Sequence, residues 1–374
     1  MQFQANYTLC RLQLLVMNPD QQIKAIEEEI RKTPYHKGTE RHIGMLRARI
    51  AVLKDKQIES QSKGGGGGGG YAVKKQGDAT VVLVGPPSAG KSTLINALTN
   101  AESKVAPYAF TTVSVIPGMM HYRHANIQIL DVPGLIEGAE EGKGRGREVL
   151  SVVRGADLLV LITDLQRPHV HKNIVAALER NGIRVNKRPP KIRIEKRLNG
   201  GLSIQSNIRQ ELDRETIKDV ISQMGVKNAD IYLDERITLD ELIDSLSRNR
   251  VYSPAIFVYN KADLDGGTHK QVEDRKVLLI SAENGKGLEE FKEDIWAALG
   301  FITVFLVKPG EDPSEKNPMV TKAGSLLRDL VEEIGGDFAQ SKTGAKLWGP
   351  GAKYPGQEVS LSYPTKDGMY VRFI

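Results

Sequence analysis

Cysteine occurs once in the 374 residues, at Cys10. One cysteine closes no internal disulfide, which excludes a disulfide-stapled secreted scaffold and makes the cytoplasm the expected compartment. No apolar run reaches the ~20 residues that cross a bilayer, so a membrane is not an expected partner. Aromatic residues are scarce, at 6%, and neither charge sign dominates: 52 Lys/Arg against 46 Asp/Glu leave a net charge of +6. What is present is 40% hydrophobic residues, well above the level of a disordered chain, in a length suited to two or three domains.

Residues 1–16 differ in character from the rest of the N-terminal region. The apolar stretch Leu12–Val16 lacks the basic flank and small-residue cleavage site of a signal peptide. Met17 is followed by Asn18-Pro19, a good N-cap and first helical residue. Residues 1–16 are therefore expected to be either upstream of the natural start or a disordered leader. Ile23, Ile26 and Ile30 form one helical stripe that should stop before Pro34. Thr39 is a candidate cap for a second helix with Ile43, Leu46, Ile50 and Leu53 on its apolar face. The spacing predicts a helical hairpin over 17–63. The seven glycines Gly64–Gly70 come next as a flexible tether within a 64–77 linker.

The chemistry starts at Thr80-Val81-Val82-Leu83-Val84, a β-branched run read as a buried parallel strand. It leads into Gly85-Pro86-Pro87-Ser88-Ala89-Gly90-Lys91-Ser92 and then the helical Thr93–Leu98. This is the P-loop pattern in its strand–loop–helix context. Gly85, Pro87, Ser88, Ala89, Gly90, Lys91, Ser92 and Thr93 are the expected phosphate cradle, because backbone N–H groups at a helix N-terminus converge on a phosphate. Lys91 is expected to bridge the β- and γ-phosphates, and the Ser92 hydroxyl to ligate Mg²⁺. A second apolar strand, Ile127–Leu130, ends in Asp131-Val132-Pro133-Gly134. Asp131 is the candidate to hold Mg²⁺ through water, and the Gly134 N–H to meet the γ-phosphate.

Two further strand ends select the base. Ala255–Tyr259 runs into Asn260-Lys261-Ala262-Asp263, and Val277–Ile280 into Ser281-Ala282-Glu283. A carboxylate at Asp263 accepts both guanine N1–H and N2–H₂, a donor pair that adenine lacks. The Ala282 N–H is expected to meet guanine O6. Each tetrapeptide alone is weak, but in this order, each at the C-terminal end of a strand, they mark one ligand crevice.

These segments resemble the G1, G3, G4 and G5 motifs of the translation-factor class of small GTPases. The resemblance places G2 in Tyr108-Ala109-Phe110-Thr111-Thr112, with Thr112 closing on Mg²⁺ and γ-phosphate and Thr111 as the alternative. Lys91, Thr112 and Gly134 are then the catalytic candidates, and Ser92, Thr112 and Asp131 the metal ligands. Many GTPases place a water-orienting glutamine after the third motif; here Leu135 stands there and offers no hydrogen bond. Several relatives with a hydrophobic residue at that point use K⁺ as a substitute arginine finger, often with a P-loop asparagine, where this chain has Ser88. K⁺ thus remains an open cofactor beside GTP/GDP and Mg²⁺. Arg145 and Arg147 are expected in a mobile switch loop that contacts a partner, with internal arginine fingers as the alternative.

Between Asp131 and Asn260 lie 128 residues, more than a minimal GTPase needs. Leu158–Asp164 reads as another buried strand, which leaves 168–253 as an insertion. Residues 180–209 hold nine Lys/Arg and one acid, Glu195, a net +8, so the remainder of the chain nets −2. Such a patch favours RNA phosphates. No aromatic lies in it, so base stacking has no support there. From 300 the chain turns to mixed β and α, with strands at Phe301–Val307, Lys346–Gly349 and Met369–Phe373 and a helix at Leu326–Ile334.

With Asp131-Val132-Pro133-Gly134-Leu135-Ile136-Glu137-Gly138-Ala139, Gly142-Lys143-Gly144-Arg145-Gly146-Arg147 and Asn249-Arg250-Val251-Tyr252, the chain resembles the developmentally regulated GTP-binding proteins, an Obg-related GTPase family. The likeness covers nearly everything after Met17. It implies an α/β fold: a P-loop GTPase domain with a parallel sheet over 78–167 and 254–299, a ribosomal-protein-S5-domain-2-like insert over 168–253, and a ubiquitin-like β-grasp TGS domain over 300–374. Lys346-Leu347-Trp348-Gly349 carries the TGS likeness. The implied activity is slow GTP hydrolysis as a switch in translation, with a ribosome or RNA and a family-specific protein as partners. A scaffold in which the nucleotide is structural is the alternative reading; an ATPase would require the Asn260–Asp263 motif to be accidental.

Overall fold

The computed structural model describes residues 18–62, 77–99, 116–132, 145–264 and 276–374. The expectations for residues 1–17, the glycine run, Thr111, Thr112, Gly134, Leu135 and Gly142–Gly144 lie outside these. In chain order come α1 (Pro19–Lys32), α2 (Glu40–Ser62), β1 (Ala79–Val84), α3 (Lys91–Leu98), β2 (Ile116–Tyr122), β3 (Ala125–Asp131), α4 (Arg145–Arg154), β4 (Leu158–Asp164) and α5 (Val170–Arg180). Then come β5 (Ile183–Val185), β6 (Ile192–Lys196), β7 (Leu202–Ser206), α6 (Arg214–Gln223), β8 (Ala229–Leu233), α7 (Leu239–Leu246), β9 (Val251–Ser253), β10 (Ala255–Asn260), β11 (Leu278–Leu279) and α8 (Leu288–Leu299). The chain closes with β12 (Phe301–Leu306), β13 (Pro318–Lys322), α9 (Leu327–Ile334), α10 (Gly336–Gln340), β14 (Gly344–Trp348), β15 (Gln357–Ser360) and β16 (Tyr370–Phe373). Two compact units divide it: residues 1–70 with 187–252, and 71–186 with 253–374.

The larger unit holds a six-stranded sheet in the order β11-β10-β4-β1-β3-β2, parallel except for β2 against β3. β1 and β4 are buried at every position, which is why they read as unbroken apolar runs. Leu94, Ile95 and Leu98 of α3 and Phe291, Ile295 and Trp296 of α8 pack into one core, and Val152 of α4 and Ile174 and Leu178 of α5 into another. Arg145 and Arg147, expected in a switch loop, are the first residues of helix α4.

The expected insertion boundary at 168 is corrected. α5 and β5 bury Ile174, Leu178, Ile183 and Val185 against Val82, Val84 and Leu161, so residues to 186 belong to the nucleotide unit. The apolar residues of α5 recur at helical spacing, but the mixed charges around them masked their tie to the sheet.

From Phe301 the same unit carries a five-stranded sheet, β13-β12-β16-β14-β15, with β12 and β16 parallel and the other neighbours antiparallel. Leu327, Leu330 and Val331 of α9 fill its core with Val304, Leu347 and Val371. Phe301 and Val320 instead join the core of α3 and α8, where Phe301 meets Trp296 edge-on at 5.5 Å.

In the other unit Asn18 caps α1 as read from the sequence, with Gln21 completing a capping box. Thr39 precedes α2, but its hydroxyl turns back to the Pro34 carbonyl at 2.7 Å rather than into the helix. The stripe on α2 is also corrected. Ile43 is buried, but Leu46, Ile50 and Leu53 are half-exposed, and Ala48 and Ala51 are the buried positions. These small residues face the core of the inserted β6-β8-β7 sheet and of α6 and α7. Gly44 makes the approach possible: a Cβ there would stand 3.0 Å from Leu239 and 3.1 Å from Val220. Hairpin and insertion thus share one core, further tied by Arg41–Asp219 at 2.5 Å and Arg47–Asp240 at 3.0 Å.

Candidate functional site

The site lies where β1, β3, β4, β10 and β11 end. β1 delivers the chain into the P-loop, and two glycines there are fixed by close approach. A Cβ on Gly85 would stand 2.2 Å from the Ile162 carbonyl oxygen of β4, and one on Gly90 would stand 2.2 Å from Asn260 Nδ2. Gly90 also has φ +83°, a left-handed conformation that glycine adopts at no steric cost. Ser88 adopts φ 61° without that freedom. Pro87 and Ser88 are exposed at the turn and Ala89 is buried behind it.

Lys91 opens α3 with 8% of its surface exposed, and its Nζ donates to the carbonyls of Gly85 at 3.2 Å and Pro86 at 3.0 Å. Ser92 Oγ donates to Asp131 Oδ2 at 3.0 Å, and Thr93 is exposed beside it. Asp131 Oδ1 is buried with no hydrogen-bond partner, 3.9 Å from Lys91 Nζ. Burial pushes the Asp131 carboxyl above its ordinary value of 3.8, opposed by Lys91 and by the Ser92 hydrogen bond.

The donor set fits Mg²⁺. An orphaned, buried carboxylate oxygen and a hydroxyl on the same spot are hard oxygen ligands, and Mg²⁺ characteristically takes one or two protein oxygens and completes its shell with water and phosphate. Among the described residues no group of three or more His, Cys, Asp or Glu is placed to hold a metal, so a caged structural ion has no candidate there.

At the base side, Asn260 is 2% exposed and joins two loops: its Nδ2 donates to the Ala89 carbonyl at 2.9 Å, and its Oδ1 accepts from Ala282 N–H at 3.0 Å. The Ala282 N–H expected to meet guanine O6 is therefore directed at Asn260, because a buried donor takes the nearest buried acceptor. Lys261 takes φ 62°, and the chain turns so that Asp263 accepts from the Ser281 hydroxyl, which holds its carboxyl below the usual range. Asp263 is exposed and Ser281 fully buried, which leaves the carboxylate open to solvent and its partner fixed. Glu283 is exposed on the turn after β11. The structure so assembles Lys91, Ser92, Asp131, Asn260, Lys261, Asp263, Ser281 and Ala282 at one edge of one sheet, while Thr112 and Gly134 lie outside the described residues. Asp164, which the sequence showed only as the end of a strand, stands in register with Asn260 at the end of β4.

A family described as "50S ribosome-binding GTPase" matches residues 80–196, and one described as "C-terminal region of MMR_HSR1 domain" matches 199–301. An uncharacterized GTP-binding protein of Methanocaldococcus jannaschii is 42% identical over 94% of this chain and 92% of its own. Developmentally-regulated GTP-binding protein 1 of Xenopus laevis is 36% identical over 94% of this chain and 98% of its own. Its Dictyostelium discoideum homolog is 37% identical over 95% and 98%. Among solved structures, a GTP binding protein from Pyrococcus horikoshii covers 79% of this chain and 99% of its own, at 15% identity and TM-score 0.38.

Proposed function

The chain belongs to the developmentally regulated GTP-binding protein family of P-loop GTPases, and from that premise we propose that it hydrolyses GTP to GDP and phosphate as a cytoplasmic molecular switch in translation. GTP binding comes with the family. The observation supporting hydrolysis is the Ser92–Asp131 pair, with one carboxylate oxygen orphaned beside Lys91. Ser92 and Asp131 would hold Mg²⁺, which when bound neutralises charge on the phosphates. Lys91 would exchange its carbonyl partners for phosphate oxygens, and the P-loop N–H groups orient the chain of phosphates. Thr112 and Gly134 keep their sequence-derived roles at the γ-phosphate. Leu135 cannot orient water, so turnover is slow until a partner assists, and replacing Na⁺ by K⁺ is expected to raise it severalfold. Steady-state turnover tests this reading: Lys91→Ala removes it, and full turnover in that variant refutes it. Leu135 also favours a second reading, a scaffold whose nucleotide is structural; negligible turnover with and without ribosomes would select it.

The proposed partner is ribosomal or other RNA. Arg180 and Arg184 belong to the nucleotide unit, so the contact is assigned to residues 187–209, where seven Lys/Arg stand against Glu195. Arg193 lies over the Tyr232 ring at 4.2 Å, so strand pairing supplies the aromatic that 180–209 itself lacks. The 300–374 sheet is read as the ubiquitin-like TGS module; its second, first, fifth, third and fourth strands lie side by side in that order, which supports a β-grasp. Ribosome co-sedimentation with a non-hydrolysable GTP analogue against GDP, repeated with the basic residues of 187–209 neutralised, tests the partner. Sedimentation unaffected by nucleotide and by charge overturns it.

A further inference from the structure

The five-stranded sheet at the end of the chain has two faces. One closes on α9, with Val304, Leu347 and Val371 in that core. The other meets the core of α3 and α8 at one end, through Phe301 and Val320. Further along this second face, the register sets Phe305 of β12 opposite Tyr370 of β16, and Tyr370 opposite Trp348 of β14. Alternation along each strand turns all three away from α9. They form an aromatic row across three neighbouring strands, each ring half-buried and none part of the core beneath. Phe305 and Tyr370 are stacked, with 5.2 Å between centroids and 26° between planes.

Cross-strand aromatic pairs stabilise a sheet by themselves, but the surroundings of this row go beyond that. Two glycines in left-handed turns pass the rings without covering them. A Cβ would stand 3.2 Å from Tyr370 at Gly349 and 3.8 Å from the Trp348 indole at Gly356. Cations adjoin the row. The Arg372 guanidinium lies over Trp348 at 5.1 Å; its Nη2 donates to the Glu311 carbonyl, and its Nε is buried with no hydrogen-bond partner. Lys346 is its register partner on β14. Charge is segregated as well: residues 342–374 carry five Lys/Arg against Glu358 and Asp367, whereas 327–337, which includes α9, carries Arg328 against four acids. An aromatic row flanked by cations suits a single-stranded nucleic acid. Bases stack on aromatic faces whatever their sequence, and the phosphates between them take the cations. A duplex keeps its base faces stacked within itself. Glu358, 3.2 Å from Lys346 Nζ, adds an acceptor for the 2′-hydroxyl that DNA lacks.

We propose that the face of the β12, β16 and β14 strands turned away from α9 binds single-stranded RNA, with bases stacked on Phe305, Tyr370 and Trp348 and phosphates held by Arg372 and Lys346. This surface is distinct from residues 187–209, which belong to the other unit. The choice of RNA over DNA rests in part on the translation reading above; the stacking site rests on the rings and cations. A fluorescein-labelled single-stranded RNA of about ten nucleotides is titrated into the full-length protein and followed by anisotropy, beside the same sequence as duplex RNA and as single-stranded DNA. Each titration is repeated with the basic residues of 187–209 neutralised, which removes the other candidate contact. In that background the single-stranded RNA should still bind, with the duplex and the DNA weaker. Trp348→Leu and Phe305→Leu should each weaken it about tenfold, and Trp348→Phe, which keeps a ring, no more than about threefold. GDP affinity should stay unchanged in all three.

Unchanged RNA affinity in Trp348→Leu, or duplex RNA or single-stranded DNA binding as tightly as the single-stranded RNA, would each overturn the proposal. Loss of all RNA binding on neutralising 187–209 also overturns it, since the RNA would then belong to the other unit alone. A second measurement needs no substitution in the row. The chain has two tryptophans, of which Trp296 is 7% exposed in the core, so RNA stacked on the row should quench the emission of Trp348. Emission unchanged at saturating RNA is equally fatal, even where a variant fails to fold. None of these titrations uses ribosomes or hydrolysis. A failure of the translation reading is seen separately, in co-sedimentation and turnover, and leaves these affinities interpretable.

Discussion

In the nucleotide unit, the residues that meet at the site come from the ends of neighbouring strands, each within a few positions of its own motif. In the hairpin–insert unit, the contacts that make one body join residues as far apart as Arg47 and Asp240, 193 positions along the chain. The first arrangement is dictated locally. A strand, a glycine-dependent turn and a helix start fix where the N–H groups and hydroxyls go, and the parallel sheet then aligns strand ends. The second depends on shape, since Gly44, Ala48 and Ala51 contribute little area of their own but admit α6 and α7 closely. The two regions should therefore fail in different ways, one through nucleotide affinity and the other through stability.

The largest effect is expected at Gly90. Gly90→Ala imposes a left-handed alanine and drives its Cβ into Asn260 Nδ2. Together these cost roughly 2–5 kcal/mol, a loss of GDP affinity of about 30-fold or more if it falls on the bound state. Titration with a fluorescent GDP analogue measures it, and near-normal affinity would contradict this role for Gly90.

Asp131→Asn comes next and has two signs. It should abolish the Mg²⁺ dependence of GDP binding while raising the melting temperature of the nucleotide-free protein. The reason is linkage. Burial raises the Asp131 carboxyl, so the folded state holds its proton more tightly than the unfolded state does. Stability of the nucleotide-free protein therefore falls as pH climbs from the ordinary value of 3.8 through the raised one, and stays lower above it. Asparagine removes that cost, so thermal melts of both proteins across this range should converge at low pH.

On the other side of the comparison, Gly44→Leu overpacks the join between hairpin and insertion at a cost of about 1–3 kcal/mol. Hydrogen exchange should rise in α2, α6 and α7 while GDP affinity stays unchanged. Loss of GDP affinity would show that the two units fail together. The smallest effect is expected from Arg41→Ala. Its partner Asp219 is only 2.5 Å away, but Arg41 keeps 53% of its side-chain surface exposed, and such pairs contribute little in water. The melting temperature should not move measurably.

The sequence was most legible where covalent neighbours do the chemistry. β1, β3, β4 and β10 lie where apolar runs placed them, and Lys91, Ser92, Asp131 and Asp263 are set by motif position. It was less legible where burial is shared between distant segments. β7 and β8 carried no reading because Leu202–Ser206 alternates too weakly and Ala229–Leu233 sits among acids. The stripe on α2 misled because Leu46, Ile50 and Leu53 are larger than the residues that the core actually takes. Tyr232 joined the basic strand, and Asp164 the base loop, through register, which no linear pattern displays.

The sequence by itself determined that this chain has a P-loop and the further GTPase motifs at strand ends, because such motifs use backbone geometry and residue chemistry that a few adjacent positions encode. Only the tertiary structure decided that residues to 186 complete the nucleotide unit, that the helical hairpin and the insertion share one core, and that Asn260 links the P-loop to the Ala282 turn. Each of these rests on which surfaces exclude water together and which buried donors find acceptors, and both are settled only when the whole chain has closed on itself.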